Sequence, residues 1–437
     1  MEKFFTLFKL GIKYLYRYRR RYGFLMAALI FCFAVVTFIT SMKDGMYDNL
    51  YHTAQAHYAG DIVVMGYNTA NTAQTHHLGR QEVAAILNAA EAVGINPRYT
   101  VKRTIHFQNA IVHFHGVAVP IRHLIGSDWE AEAHLFSRKT FYQPPAPFTG
   151  DDGIILSLPT AQMMSVRMGD SVILETETRW GQRNTGVFIV KGIVDDASIF
   201  GFHKAYISRL SLNRLMLFED DDSSSIGFFL HNPGRAEEKR LLLYEALAGQ
   251  VQLVPLAQDR EGFNRGRYYF QDGYNIALYT LAVYLSDVAD MLNAMTLMAY
   301  FLHGMMLLII LVSAAVTYRL ILHERTRELG TMRAIGFYGA DLRLVLWVEV
   351  IGVAVFSLIA GFLLSLLLSW GVSLLSFAWF PSFEIFMRDG RLTALYLPRT
   401  MLTNVGSVFL LLFVVVLFPS LRASRKNLPG LLSGEPL

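Results

Sequence analysis

Glu324-Arg325-Thr326-Arg327-Glu328-Leu329-Gly330-Thr331-Met332-Arg333-Ala334-Ile335-Gly336 lies between two long runs without a formal charge. Met291 to Tyr318 precedes it, and Val350 to Phe383 follows it. Leu322, Leu329, Met332 and Ile335 recur near helical spacing, so one side of the segment reads as apolar. Arg325, Arg327, Glu328 and Arg333 give the remainder a polar surface open to a partner. A solvated loop helix and a helix that docks a soluble protein fit these residues equally well.

The flanking runs set the class. The chain has 437 residues, 53% hydrophobic and 17% charged, too apolar for an average soluble protein. Runs free of Lys and Arg predict four spans at Phe24–Met42, the Met291–Tyr318 region, Leu344–Trp370 and Thr400–Leu421. Nineteen residues of helix rise roughly 28 Å, enough for the hydrocarbon core. Residues 43–290 hold 21 Lys/Arg against 27 Asp/Glu, a net of −6, and the rest of the chain is +10. The basic excess flanks the spans, at Lys3 to Arg21, Arg319 to Arg333 and Arg422 to Lys426. Positive flanks stay in the cytoplasm, so both termini and the Glu324 loop are expected inside and residues 43–290 outside. Cys32 is the single cysteine and falls mid-span, which excludes a disulfide framework within one chain. The first span lacks a small-residue cleavage site and reads as an uncleaved anchor.

The expected fold class is a membrane protein of four transmembrane α-helices, with a large extracytoplasmic α+β domain inserted between helices 1 and 2. The expected division begins with a basic interfacial helix at 1–23 and a span at 24–42. The external domain follows at 43–275, then a stalk and second span at 276–322. A cytoplasmic loop occupies 323–343 and an extended third span 344–380. An external loop at 381–399, a fourth span at 400–421 and a tail at 422–437 complete it. Within the external part, strands are expected at Gly60–Met65, Thr104–Val119, Gly153–Ser157, Met168–Leu174, Val187–Val194, His203–Ile207 and Ser225–Leu230. Helices are expected at Gln81–Ala92, Pro159–Val166 and Ala236–Ala248. From Tyr274 the pattern predicts one helix through Leu322, part of it a stalk.

Catalytic chemistry is thin. No G-x-x-x-x-G-K-[ST] loop occurs, so the chain is not expected to hydrolyse ATP by itself. His113 and His115 lie two apart on a strand, but nothing completes a zinc set, and no metal is expected. His303 within the second span and Glu349 near the end of the third are intramembrane ionisable groups. Both read as structural, Glu349 either tied to Arg343 or Arg333 or snorkelling to the interface.

The pattern E-R-T-R-E-L-G-T-x-R-A-I-G ahead of a span, with Glu349 and Gly352 beyond it, resembles the second cytoplasmic loop of the FtsX-like permeases. These are the membrane subunits of ABC transporters that include the lipoprotein-releasing permeases and the macrolide exporters. The strand, helix, Gly-Asp, strand order at 153–174 and the basic tail after the last span resemble the same family. Size and layout look most like the lipoprotein-releasing permeases. The resemblance implies a non-enzymatic subunit of the bacterial inner membrane, whose ATP and Mg are bound by a separate ATPase dimer. A coupling helix is implied at Glu324, Arg325, Arg327, Glu328, Leu329, Gly330, Met332, Arg333 and Gly336. A second permease copy or sister chain, membrane lipid, and a lipoprotein substrate or periplasmic adaptor are the implied partners, and nucleic acid is not. If the cargo is a lipoprotein, Phe38, Met42, Met298 and Phe301 are expected to touch its acyl chains. The alternatives are an exporter of peptides or drugs and a regulator of a cell-wall hydrolase.

Overall fold

Helix α1 (Gly23–Tyr58) begins with the first uncharged run and continues well beyond it. The charges at Lys43, Asp44 and Asp48 end the apolar stretch, not the helix, because Lys43–Tyr58 holds no proline and only one glycine. The first strand, β1, therefore follows a helix that continues through the expected boundary at residue 43, and the compact α+β unit begins at Asn49. The structure, a computed structural model, describes residues 9, 11, 13, 14, 16, 17, 22–68, 77–142, 150–194, 203–269, 274–377, 386, 387 and 390–425. Most of the expected N-terminal interfacial helix and the tail from residue 426 lie outside them; Lys9, Gly11, Lys13, Tyr14, Tyr16 and Arg17 are helical.

In chain order there follow β1 (Ile62–Asn68), α2 (Arg80–Ala92), β2 (Pro97–Phe114), β3 (Val117–Ser127), β4 (Gly153–Ser157), α3 (Leu158–Met164), β5 (Ser171–Glu177), β6 (Arg183–Val194), β7 (Lys204–Ser208), α4 (Arg209–Met216), β8 (Ser225–Leu230), α5 (Ala236–Leu247), α6 (Arg260–Tyr269) and β9 (Tyr274–Thr280). Then come α7 (Ser286–Glu324), α8 (Thr326–Ala334), α9 (Gly339–Ser373) and α10 (Pro398–Arg425). The chain divides into two compact units, Asn49–Leu292 with Phe377–Gly390, and the remainder.

The α+β unit is organised by β2. Its first half pairs antiparallel with β8, which leads through β1 to β9. Its second half pairs with both β3 and β5. Strands β3, β7, β4, β6 and β5 connect in that order, so β2 closes a ring. Closure removes the exposed edges that an open sheet would leave. The ring is filled by Leu124, Ile154, Leu156, Val172, Leu174, Phe188, Val190 and Ile207, with Leu212 and Met216 of α4 packed on them. One face of the second sheet packs Ile62, Val64, Phe228 and Leu278 against Val83 and Ile86 of α2 and Leu243 and Leu247 of α5. The end of α1 is seated in this unit by polar contacts. Tyr51 Oη and Gln55 Nε2 donate to Asp61 Oδ1 at 2.5 and 2.8 Å. Arg103 Nη1 donates to the His57 carbonyl at 2.8 Å while Nε and Nη2 hold Glu132 at 3.0 and 2.5 Å.

The single helix expected from Tyr274 to Leu322 is not formed. Tyr274–Thr280 is strand β9, paired with β1 over its whole length from Ile62↔Thr280 to Asn68↔Tyr274. Tyr-Asn-Ile-Ala-Leu-Tyr-Thr alternates well enough for a strand, and β1 offers it an open edge. The helix proper, α7, has 39 residues and a length of roughly 58 Å. Helix α9 likewise ends at Ser373, short of the expected Phe380, as Leu374 N closes the last turn on the Gly371 carbonyl. Residues 378–385, including Pro381, lie outside the described part. Helices α4 and α6 were not legible as helices.

Among the described residues, four helices are long and apolar enough to cross a membrane: Gly23–Tyr58, Asp290–Glu324, Gly339–Ser373 and Pro398–Leu417. Their shared core holds Leu25, Leu29, Phe33, Ile310, Ala314, Val353, Ala354, Val408 and Leu412. Cys32 is buried among them, as a small apolar filler would be. His303 Nε2 lies 3.1 Å from Ser407 Oγ, a helix-to-helix hydrogen bond. Helices α1 and α9 cross closely at Gly361, where an added Cβ would sit 2.9 Å from the Ile30 carbonyl oxygen. Gly304 has nothing within 4 Å of such a Cβ. Gly361→Val should therefore lower the thermal midpoint of the purified protein, by an overpacking cost of about 1–3 kcal/mol. Gly304→Ala should leave it unchanged or raise it slightly. Equal midpoints for the two variants, measured in one detergent, would remove the close crossing.

Candidate functional site

The loop between α7 and α9 is built around a break at Arg325. Its backbone (φ −96°, ψ 4°) leaves the line of α7. Thr326 Oγ1 turns back to the Leu322 and His323 carbonyls at 3.1 and 2.8 Å, and Leu329 N reaches the Arg325 carbonyl at 3.0 Å to start α8. Helix α8 ends where Gly336 adopts a left-handed φ of 105°, which favours glycine. Phe337 N then returns to the Met332 carbonyl at 3.1 Å. Asp341 Oδ2 accepts from Tyr338 N at 3.0 Å, capping α9.

The apolar side exists but is shifted. Leu322, Leu329 and Met332 are buried with Tyr318, Leu342, Leu346, Val350 and Val416. Ile335 is instead 74% exposed. It stands past the last helical residue, where the chain has begun to turn and helical periodicity no longer applies.

Arg325 corrects the expectation of a partner-accessible side chain: it is 1% exposed, and Glu349 of α9 is fully buried. Arg325 Nη1 donates to Glu349 Oε2 at 2.6 Å, and its Nε reaches Glu328 Oε2 at 3.2 Å. Tyr22 Oη donates to the same Glu349 oxygen at 2.8 Å. The Tyr14 ring lies 4.8 Å from the guanidinium carbon. Burial opposes the arginine's charge, but the Glu349 carboxylate outweighs it and holds Arg325 above its ordinary pKa. Glu349 is thus tied to Arg325, not to Arg343 or Arg333. Helix α7 must reverse into α9 to bring the pair together, so distance along the chain was a poor guide.

The other loop residues sort by exposure. Glu324, Arg327 and Gly336 are exposed, as are Thr331 and Tyr338, which the sequence did not single out. Glu328 and Arg333 are half-buried, and Leu329, Gly330 and Met332 are buried. A soluble partner would meet the face containing Glu324, Arg327, Thr331 and Ile335. Of the residues expected to touch acyl chains, Met298 and Phe301 are exposed on α7, and Phe38 is half-buried. Met42 is buried, one helical turn before buried Met46. In the α+β unit His113 Nε2 is 2.9 Å from Glu175 Oε2. Among the described residues no group of three or more His, Cys, Asp or Glu is placed to hold a metal ion.

The class these features define is a membrane protein with a unit of four apolar helices, a separate α+β unit and a short helix between two of the apolar helices. Residues 300–428 match the family described as FtsX-like permease C-terminal, and this part of the chain is an FtsX-like permease domain. That family supplies the non-catalytic membrane component of ABC transporters. Comparison with curated proteins gives no match. Among solved structures, the chain is similar to the periplasmic region of MacB from Actinobacillus actinomycetemcomitans, at 10% identity and a TM-score of 0.31, covering 54% of this chain and 95% of that one. It is also similar to a domain of a putative permease protein from Porphyromonas gingivalis, at 10% identity and a TM-score of 0.27, covering 51% and 90%.

Removing one partner of a buried ion pair leaves an uncompensated charge and costs about 3–5 kcal/mol. Glu349→Ala should lower stability by that order, whereas Arg327→Ala on the exposed face should stay within about 0.5 kcal/mol of the parent. Thermal unfolding of the purified chain in detergent separates the two; a Glu349→Ala protein as stable as the parent would deny the pair its structural weight.

Proposed function

We propose that this chain is the permease subunit of an ABC transporter of the bacterial inner membrane. A separate ATPase dimer, which binds the ATP and Mg, drives it through α8. The observation that carries this reading is α8 itself, a short helix between two apolar spans inside the family match at 300–428. Its inner side is anchored to the spans, and its outer side presents Glu324, Arg327 and Thr331. Arg327 is the residue we assign to direct contact with the ATPase. Glu328 is assigned to orienting Arg325, since its carboxylate is already held there. Leu329 and Met332 support the helix from below.

The cargo we favour is a lipoprotein, extracted from the membrane with the help of a second permease copy or a sister chain. An acyl anchor needs an apolar side to leave along, and α7 exposes Leu297, Met298, Tyr300, Phe301 and Met305 together. A periplasmic adaptor or a cell-wall hydrolase recovered in place of a lipoprotein would redirect the reading to an exporter or to a regulator.

Affinity purification of the full chain from crosslinked native membranes should bring down a protein with a G-x-x-x-x-G-K-[ST] loop, identified by mass spectrometry. Arg327→Glu should insert normally yet lose that ATPase, because a like-charge contact or unpaired charge at an interface costs ~2–5 kcal/mol, roughly 30-fold or more in affinity. Recovery of no ATPase with the parent chain would refute the proposal.

The same reading places α8 in the cytoplasm and the α+β unit outside. A cysteine at the exposed Ser171 should react with a membrane-impermeant maleimide on intact cells. One at Thr331 should react only after permeabilisation, with buried Cys32 as a silent background. Labelling of the Thr331 position from outside would invert the topology.

A further inference from the structure

We propose that the Arg325–Glu349 pair is the pin of a hinge, on which α8 turns when the transporter works. The inference rests on the ATPase-driven reading above. Three observations place a hinge at this point. The backbone of Arg325 is the break between α7 and α8, so the residue whose chain bends is the residue whose side chain is anchored. The anchor is in α9, the next span, which leaves α8 held at its start from the side opposite its exposed face. The anchoring carboxylate is also only half used. Arg325 and Tyr22 both share Oε2, while Glu349 Oε1 has no hydrogen-bond partner among the described residues.

The hydroxyl of Tyr318 on α7 is likewise buried without a hydrogen-bond partner among the described residues. Tyr318 packs in the same buried group as Val350, the residue next to Glu349. A spare acceptor and a spare donor in one buried cluster allow the contacts to be exchanged without water. A pair built only for rigidity would occupy both oxygens, because each bare buried polar atom costs stability. A buried ion pair is also a poor choice for stability alone: apolar residues of similar volume are often as good or better. Its advantage is a directed contact that specifies one position and can move to another. Arg325 and Glu349 are therefore positioning residues, acting on the ATPase through α8.

The Arg325→Met/Glu349→Met double variant keeps volume and removes both charges together, so folding and insertion should survive. Two measurements follow, each against the parent. The first needs no ATPase. A nitroxide on Arg327→Cys, in a Cys32→Ala chain reconstituted in nanodiscs, should become more mobile in the double variant, because α8 has lost its pin. The second uses the ATPase that co-purifies. Binding should persist, while permease-stimulated ATP turnover should fall roughly tenfold, within the range of ordinary couplings between sites. Arg325→Lys keeps the charge and one contact to Glu349, and should retain turnover to within about threefold. If the double variant turns over ATP like the parent, or leaves the nitroxide spectrum unchanged, the pair is packing and the hinge is refuted. If no ATPase accompanies the parent chain, the transporter reading fails while the nitroxide measurement still decides the pin.

Discussion

A carboxylate with no exposure to water, placed in the apolar body of a helix, constrains everything around it. Moving such a group out of water costs several kcal/mol even after relaxation, so it persists only with a partner of opposite charge and good geometry. Glu349 has that partner in Arg325, at 2.6 Å. Meeting the requirement fixes where α7 stops, because the guanidinium must leave the helix line to reach α9. It also fixes the start of α8, and brings in Tyr22, just ahead of α1, as a second donor. Three spans and one loop are thus referred to a single buried oxygen.

The spans were legible because hydropathy acts locally: an uncharged run reports a length that can cross a bilayer whatever surrounds it. Helix ends were less legible, for a physical reason. Charge marks the edge of an apolar environment, whereas a helix ends where its backbone hydrogen bonds find other partners. Helix α1 accordingly runs past Lys43 to Tyr58. At Tyr274–Thr280 the residues tolerate either state, and pairing with β1 decides. Helix α6 shows the reverse case. Two glycines in Arg260–Tyr269 speak against a helix, yet Phe263 packs with Val63, Met65, Tyr67 and Tyr279, and that burial outweighs propensity.

Strand order in the α+β unit was not readable at all. Alternation gave most strands their approximate places, but ring closure depends on β2 serving two sheets with its two halves. Pairings such as Ile111↔Glu175 or Thr100↔Phe228 join residues far apart in the chain, and no local pattern encodes them.

The candidate site divides along the same line. That a charged, amphipathic helix joins two spans could be read from spacing alone. Which charges face outward could not, because Arg325, Arg327, Glu328 and Arg333 look alike in sequence and differ only in what the folded chain puts beside them. The one local hint was Glu349 itself, an acid with no basic neighbour inside the following helix turns. A lone acid in such a place must find a cation elsewhere in the fold. The nearest cluster of arginines is the loop, and the member at the helix break is the one able to turn inward. With that arginine buried, Glu324 and Arg327 are the charges the loop leaves exposed. The interior pair thereby sets both the shape of α8 and the face it offers to solution.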